Sequence, residues 1–221
     1  ARGVAVGALV GLTLAALLSG GATVDGVVAE VDATAGARMR AALAGAGVAE
    51  KPARLWLLGV KDERRLELWA ARGKGRVLVK AWPMLAASGG PGPKLREGDL
   101  QVPEGVYAIE SLNPNSNFHL SMRVGYPNAA DRRRAAKEGR RRLGGDIYIH
   151  GNAVSIGCIA IGDGPIEELF WLAATAGPKA FTAVIVPTDL RRHPAPEAPG
   201  VTWAPELYRE LRAELEKFPR R

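Results

Sequence analysis

From Arg54 onward the chain breaks into short β-type runs, Leu55-Trp56-Leu57-Leu58, Leu66-Glu67-Leu68-Trp69 and Val77-Leu78-Val79-Lys80, and this rhythm constrains the fold more than any other feature. Lys61-Asp62-Glu63-Arg64 and Gly73-Lys74-Gly75 separate the runs. Both clusters favour turns, so the segment predicts a β-meander. Trp56 and Trp69 read most simply as core or sheet-face residues. Similar runs recur at Val106-Tyr107-Ala108-Ile109, Phe118-His119-Leu120-Ser121-Met122, Ile147-Tyr148-Ile149, Cys158 to Ile161 and Phe181 to Val186. Three helices are expected around the strands. One runs from about Ala33 to Val48 with Asp32 as N-cap. A second runs from about Pro165 to Ala176, with Asp163 as cap and Glu167 and Glu168 in its first turn. The third is a charged amphipathic helix from Pro205 to Phe218. The expected class is mainly β with short helices (α+β), a mixed sheet flanked by N- and C-terminal helices. With 221 residues the chain is long enough for one well-cored domain.

Four stretches are expected along that domain. Residues 1–22 carry Ala1-Arg2-Gly3, an apolar run from Val4 to Leu18, then Ser19, Gly20, Gly21 and Ala22. A positive start, a short apolar centre and small residues near a cleavage point read as a secretory signal. An uncleaved N-terminal anchor and an ordinary buried helix are the alternatives, and a membrane is a partner only if the segment is uncleaved. Residues 23–50 form a helical lead-in, 51–190 the main body, and 191–221 a Pro-rich linker followed by the C-terminal helix. Export places the protein in the periplasm or cell envelope. Residues 88–105 are dense in Gly and Pro, and a loop of that length inside a domain usually serves as a binding surface.

The formal charge of +7 comes largely from arginine, with clusters at Arg132-Arg133-Arg134 and Arg140-Arg141-Arg142. Such a surface favours polyanions, among them acidic wall polymers and lipid headgroups, although a solvated face is the simpler reading. Aromatic residues make up 6% and do not interleave with the arginines, so a stacking platform for single strands is not indicated and no nucleic-acid partner is expected.

Histidine occurs at three positions, His119, His150 and His193, and cysteine at one. With no His-Glu-x-x-His and no paired cysteines, neither a metal nor another cofactor is expected. A serine-hydrolase elbow fails too, because Val154-Ser155-Ile156-Gly157 lacks its first glycine. What remains is His150-Gly151-Asn152-Ala153-Val154-Ser155-Ile156-Gly157-Cys158. A histidine ending one strand and a cysteine opening the next can bring imidazole and thiol within hydrogen-bond reach, and the imidazole can then accept the thiol proton. Gly157 lets the backbone bend so that its N–H and that of Cys158 face a developing oxyanion. On spacing alone, a lone cysteine among apolar neighbours is more often a small buried hydrophobe.

His-Gly, a short loop and Ser-x-Gly-Cys together resemble the active-site signature of the L,D-transpeptidase catalytic domain, the YkuD-like family. The YafK-like branch is the nearest likeness, through Gly92-Pro93-Lys94-Leu95-Arg96-Glu97-Gly98-Asp99, Pro103-Glu104-Gly105-Val106-Tyr107, Asn113-Pro114-Asn115-Ser116 and Gly125-Tyr126-Pro127-Asn128, spread over about residues 54 to 190. The resemblance implies an L,D-transpeptidase-like β-sandwich or mixed sheet with a Cys/His cleft, and makes 51–190 its catalytic domain. It implies Cys158 as nucleophile, His150 as general base, Gly151 orienting the imidazole through its carbonyl, and Ser155 and Gly157 completing the loop. Lys94, Arg96, Asn117, His119 and Tyr126 are secondary candidates for substrate contact, each with an equally ready structural reading.

The implied chemistry is attack on the peptide bond after the L-centre of diaminopimelate in peptidoglycan stem peptides, through a thioester. The acyl group then passes to an amine. An alternative is an amidase with water as acceptor, hydrolysing stem-peptide links or links to a wall-linked envelope protein. Ile156 and Ala160 depart from the broader family, where many members have histidine and arginine, and this leaves the acceptor open. A non-catalytic cell-wall-binding module is the reading from another class.

Overall fold

A computed structural model describes residues 21–220, so the stretch expected as a leader lies, up to Gly20, outside the described residues. Nine described strands form one sheet. They are β1 (Leu55–Val60), β2 (Arg65–Arg72), β3 (Gly75–Pro83), β4 (Ala86–Ala87), β5 (Gly105–Ser116), β6 (His119–Val124), β7 (Ile147–His150), β8 (Ile159–Ala160) and β9 (Phe181–Val186). Their order is β3-β2-β1-β9-β5-β6-β7-β8-β4. The pairs β1–β9 and β7–β8 are parallel, and all other neighbours are antiparallel. The expected meander is β1-β2-β3.

Strand β5 joins the two halves of the sheet. Gly105 to Ala108 pair with β9, while the register with β6 runs from Ile109 to Ser116 and shifts at Ile109/Ser111 and Asn113/Ser116. Such bulges bend and twist a strand. Residues far apart in the strand order, Leu57 of β1 and Ile149 and Ile159 of β7 and β8, consequently share one core.

The apolar runs are nearly continuous because the central strands are buried on both faces. Leu55 and Leu57 of β1, with Phe181, Ala183 and Ile185 of β9, enter the main core. Their alternate neighbours Leu58, Val60, Val184 and Val186 enter a second core on the opposite face. Helix α5 (Ala204–Leu215) covers that face with Leu207, Leu211 and Leu215. Arg191, paired with Asp189, donates to the carbonyls of Leu215 and Phe218, which the helix end would otherwise leave unpartnered.

The lead-in is one helical stretch made of α1 (Val24–Val31), a π-helical turn (Asp32–Gly36) and α2 (Ala37–Gly45). Val27, Val31, Ala35, Met39 and Leu43 enter the core at a spacing of four. At 3.6 residues per turn, that stripe would drift by roughly 40° per repeat. The wider i→i+5 turn absorbs part of the drift. Asp32 is therefore not an N-cap; Thr23 caps the helix by accepting from the Gly26 amide. The Asp32 carboxylate instead accepts from Arg40 and, at 2.8 Å, from Trp171 Nε1, and both bonds hold its pKa down.

Two further shifts concern α4 (Asp163–Ala176) and β6. Asp163 is the first residue of α4, not its cap, and spends its carboxylate on the Asn152 amide at 2.7 Å. Glu168 is buried and binds Arg38, Lys80 and Trp82 Nε1, tying α2 and β3 to α4. Phe118 belongs to the turn before β6. Helix α3 (Ala129–Lys137) opens the Arg-rich insert with a capping box between Asn128 and Asp131.

The Gly/Pro-rich loop is anchored by a buried ion pair. Lys61 Nζ donates to Glu104 Oε1 at 2.9 Å and to the carbonyls of Gly92 and Val102 at 3.0 Å, and the Gly92 amide donates to the same carboxylate at 2.7 Å. Removing one partner of a buried pair strands the other charge, at a cost of about 3–5 kcal/mol. Glu104→Ala is expected to lower unfolding free energy by that amount in urea titrations; a loss within about 0.5 kcal/mol, typical of surface changes, would show that the pair does not hold the loop.

Candidate active site

The position of His150 and Cys158 follows from strand register. In the parallel pair β7–β8, Ile149 lies opposite Ile159 and His150 opposite Ala160. One residue back along both strands brings Cys158 beside Tyr148. Side chains alternate with period two, so Tyr148, His150 and Cys158 share one face while Ile149 and Ile159 turn into the core. On neighbouring β6, Ser121 pairs with His150 and belongs to the same face. A cavity of about 360 Å³ is lined by His150, Cys158, Ser121 and Tyr148, together with Asp146, Phe118 and the polar residues Asn113, Asn115, Ser116 and Asn117.

The imidazole is fixed from two sides. His150 Nδ1 donates to the Gly151 carbonyl at 2.6 Å, and the Phe118 ring stacks on it at 4.7 Å with 29° between planes. This hydrogen bond puts the proton on Nδ1 and leaves the lone pair on Nε2, which has no partner among the described residues. Gly151 has no space for a side chain, since a Cβ there would lie 2.6 Å from Asp163 Oδ1 and 2.8 Å from the Phe118 carbonyl.

Residues 151–158 are short for a crossover between parallel strands, which usually takes a dozen or more residues. Ser155 folds this segment. Its hydroxyl donates to the Cys158 carbonyl at 2.7 Å and accepts from the amides of Ser88 at 3.1 Å and Gly157 at 3.3 Å. The Gly157 amide is thus engaged by Ser155 rather than presented to the cavity. Gly157 turns the chain into Cys158 at φ 124°, a conformation L side chains rarely adopt. Asp146, which lines the cavity, also has positive φ, as do His119 and Asn152, one and two residues along the chain from the lining residues Phe118 and His150. Strained backbone of this kind gathers at functional sites.

Cys158 is half-buried, and its thiol donates to the Asp146 carbonyl at 3.6 Å, not to His150. Burial pushes the thiol pKa up; the Tyr148 amide and the Lys94 ammonium pull it back, while the Asp146 carboxylate adds to the rise. Burial lowers the pKa of His150, opposed by the Gly151 carbonyl. Both shifts disfavour charge, so the resting site at neutral pH is a neutral thiol beside a neutral imidazole.

The secondary candidates divide. Asn117 lines the cavity. Lys94 is buried, its ammonium held by Asp99 and the Arg96 carbonyl, and it reaches Cys158 only through its field. His119 pairs with Glu167 at 2.9 Å outside the cavity lining. Tyr126 is buried edge-to-face against Tyr107, and its hydroxyl donates to the Leu143 carbonyl. Arg96 lines a different cavity. Sequence reasoning did not single out Tyr148, Ser121, Phe118 or Asp146. Alternation by two from His150 was enough to find Tyr148; Phe118 and Asp146 arrive from a turn and a loop whose positions depend on tertiary contact. Among the described residues no three His, Cys, Asp or Glu side chains group closely enough to hold a metal ion.

Comparison with known proteins bears on the family and the fold. The family model YkuD, described as the L,D-transpeptidase catalytic domain, matches residues 54–186. The YafK protein of Escherichia coli (strain K12), whose own designation as an L,D-transpeptidase is provisional, is 38% identical over 112 residues. That match covers 50% of this chain and 43% of YafK, so the chain spans less than half of that relative. Among solved structures, the K307A mutant of Pgp2 from Campylobacter jejuni, a helical cell shape determining protein, superposes with a TM-score of 0.51 at 18% identity. It covers 87% of this chain and 62% of Pgp2. A second Pgp2 structure gives 0.50 at 15%, covering 89% and 78%. At such identities the likeness is one of fold.

The neutral resting pair has a measurable consequence. Iodoacetamide alkylation of Cys158 should still be accelerating with pH through about 8.5, the ordinary thiol value. A plateau reached below about pH 7 would mean a thiolate–imidazolium pair and would contradict the effect of burial on both groups.

Proposed function

Because the chain belongs to the YkuD family of L,D-transpeptidase catalytic domains, we propose that it is an enzyme of peptidoglycan remodelling in which Cys158 is the nucleophile and His150 the general base. The observation that carries this reading is the unpartnered Nε2 of a fixed imidazole on the same cavity face as the chain's one cysteine. The substrate is a stem peptide, cut after the L-centre of diaminopimelate. Nε2 takes the thiol proton as Sγ attacks the carbonyl carbon. The S–C bond forms, the C–N bond breaks, and the proton passes to the departing amine, leaving a thioester. The Cys158 amide, presented by the bend at Gly157, receives the oxyanion. Asn113, Asn115 and Asn117 supply amide donors and acceptors for an extended peptide, and the exposed Val154 and Ile156 offer it apolar surface. Export to the periplasm or cell envelope accompanies such a substrate.

Water as acceptor is the second reading, favoured by one observation. Ala160, where many family members have arginine, is fully buried between His150 and Ala86. That position cannot offer a cation to an incoming acceptor strand, so hydrolysis of a stem-peptide link or of a link to a wall-bound envelope protein fits the site as well.

Incubation with disaccharide-tetrapeptides and with wall-linked protein, followed by mass spectrometry, tests both readings. The parent should form a thioester adduct on Cys158, Cys158→Ala should be inactive, and His150→Gln should turn over roughly 10²–10⁴-fold more slowly. Cross-linked dimers or D-amino-acid exchange indicate an amine acceptor; release without exchange indicates water. If Cys158→Ala processed muropeptides as fast as the parent, the enzymatic reading would fall.

A further inference from the structure

Two sequence features without a role in that chemistry, Arg140-Arg141-Arg142 and the Pro-rich stretch 194–199, meet in space. With the Gly/Pro-rich loop they enclose a second cavity of about 850 Å³. Its apolar walls are Pro91, Pro93, Leu95, Pro199 and Val201, and its charged lining includes Arg96, Arg140, Arg141 and Glu197.

The walls are fastened to one another. The Glu97 amide donates to the Arg142 carbonyl at 2.9 Å, and Arg140 Nη1 donates to the Leu95 carbonyl at 2.7 Å. Arg140 Nε donates to Glu138 at 2.6 Å, and its guanidinium lies over Trp203. The group is therefore held in place with Nη2 left over. Arg96 and Arg141 make no side-chain hydrogen bond or ion pair among the described residues, whereas Arg142 pairs with Glu97 and Asp99 with Lys94. Two unpaired guanidinium groups and the free edge of a third line one partly apolar hollow, an arrangement that an anion relieves. Glu197, also without a partner among the described residues, is an acceptor only. It disfavours a dianionic phosphate and suits a ligand that carries N–H donors as well as its anion.

We propose that this cavity binds the carboxylate-bearing end of an extended peptide. Arg96, Arg141 and Arg140 Nη2 take the carboxylate, Glu197 takes a peptide N–H or an ammonium, and the proline and valine walls take an apolar side chain. Guanidinium forks match carboxylate geometry, and the apolar wall adds burial that exposed ion pairs alone lack. The site is separate from the Cys158 cavity and has no lining residue in common with it, although a Cβ on Gly157 would lie 3.7 Å from the carbonyl of Gln101, which lines the second cavity.

The test uses the full chain carrying Cys158→Ala, so that binding is read without turnover and independently of whether the catalytic reading holds. The probe is N-acetyl-Ala-Leu-Glu as free acid, compared by calorimetry with its fully amidated Gln counterpart and with inorganic phosphate and acetate as competitors. The free acid should bind, with the amidated peptide about tenfold weaker or worse, a difference of about 1.4 kcal/mol. Arg96→Ala/Arg141→Ala should weaken the acid by a similar factor while leaving the thermal midpoint unchanged, since both side chains are exposed. No binding of the acid, equal binding of acid and amide, or undiminished binding by the double variant would overturn the proposal. So would displacement by phosphate at lower concentration than acetate, which would reassign the site to phosphorylated ligands.

Discussion

The parallel pairing of β7 with β8 is the constraint on which the catalytic geometry rests. Two short strands in register, joined only by residues 151–158, bring His150 at the end of β7 and Cys158 just before β8 to one face. Had the register slipped by one residue, Cys158 would have turned toward Ile149 and the core. The pair is held from both sides, since β6 bonds to β7 and β4 bonds to β8. The main chain closes the arrangement, with Gly151 N–H on the Leu120 carbonyl and Ile161 N–H on the His150 carbonyl. Chemistry here depends first on sheet pairing and only then on side-chain contact.

Burial then decides the protonation state. Burial of the thiol and the imidazole disfavours charge on both, so the site rests as a neutral pair, and under the proposed mechanism the thiolate would form only as substrate arrives. The 3.6 Å contact from Sγ to the Asp146 carbonyl fits this picture, because a protonated thiol can donate there and a thiolate cannot. Attack requires the sulfur to leave that carbonyl, and Asp146 occupies a left-handed conformation at φ 54°. Ser155 works on the backbone instead. Its hydroxyl occupies the Gly157 amide and the Cys158 carbonyl together, and so fixes the bend that carries Cys158.

How much of this was legible in the sequence depended on the range of the interaction. The meander, β9 and α5 could be read because each carries its own periodicity and turn residues. Cys158 and His150 stood out through elimination and then through ordered motifs, and the structure brings both to one cavity. Asp32 was misread because a π-helical turn is invisible to a 3.6-residue pattern and because its partners, Arg40 and Trp171, come from the same helix eight residues on and from α4. Lys94 and Tyr126 looked like substrate contacts because they sit in recognisable motifs. Those motifs turn out to be structural in part: Lys94 holds its own loop and Tyr126 packs against Tyr107. The Gly157 amide was expected at an oxyanion, and nothing local announced that Ser155 would claim it.

The Gly/Pro-rich loop walls the larger cavity and passes close to Gly157. Its composition offers no core of its own, yet Lys61 and Glu104 bury a charge pair beneath it. The Tyr208 hydroxyl lies in the same region, its pKa pushed up by burial and by the Glu104 carboxylate. Burying charges under a loop is a costly way to hold it, and a position that needed only solubility would not require it. What it secures is a fixed wall. Leu95, Arg96 and Gln101 of that wall line the larger cavity, and the Gln101 carbonyl lies close to Gly157. The ion pair beneath the loop therefore holds one side of the larger cavity in place.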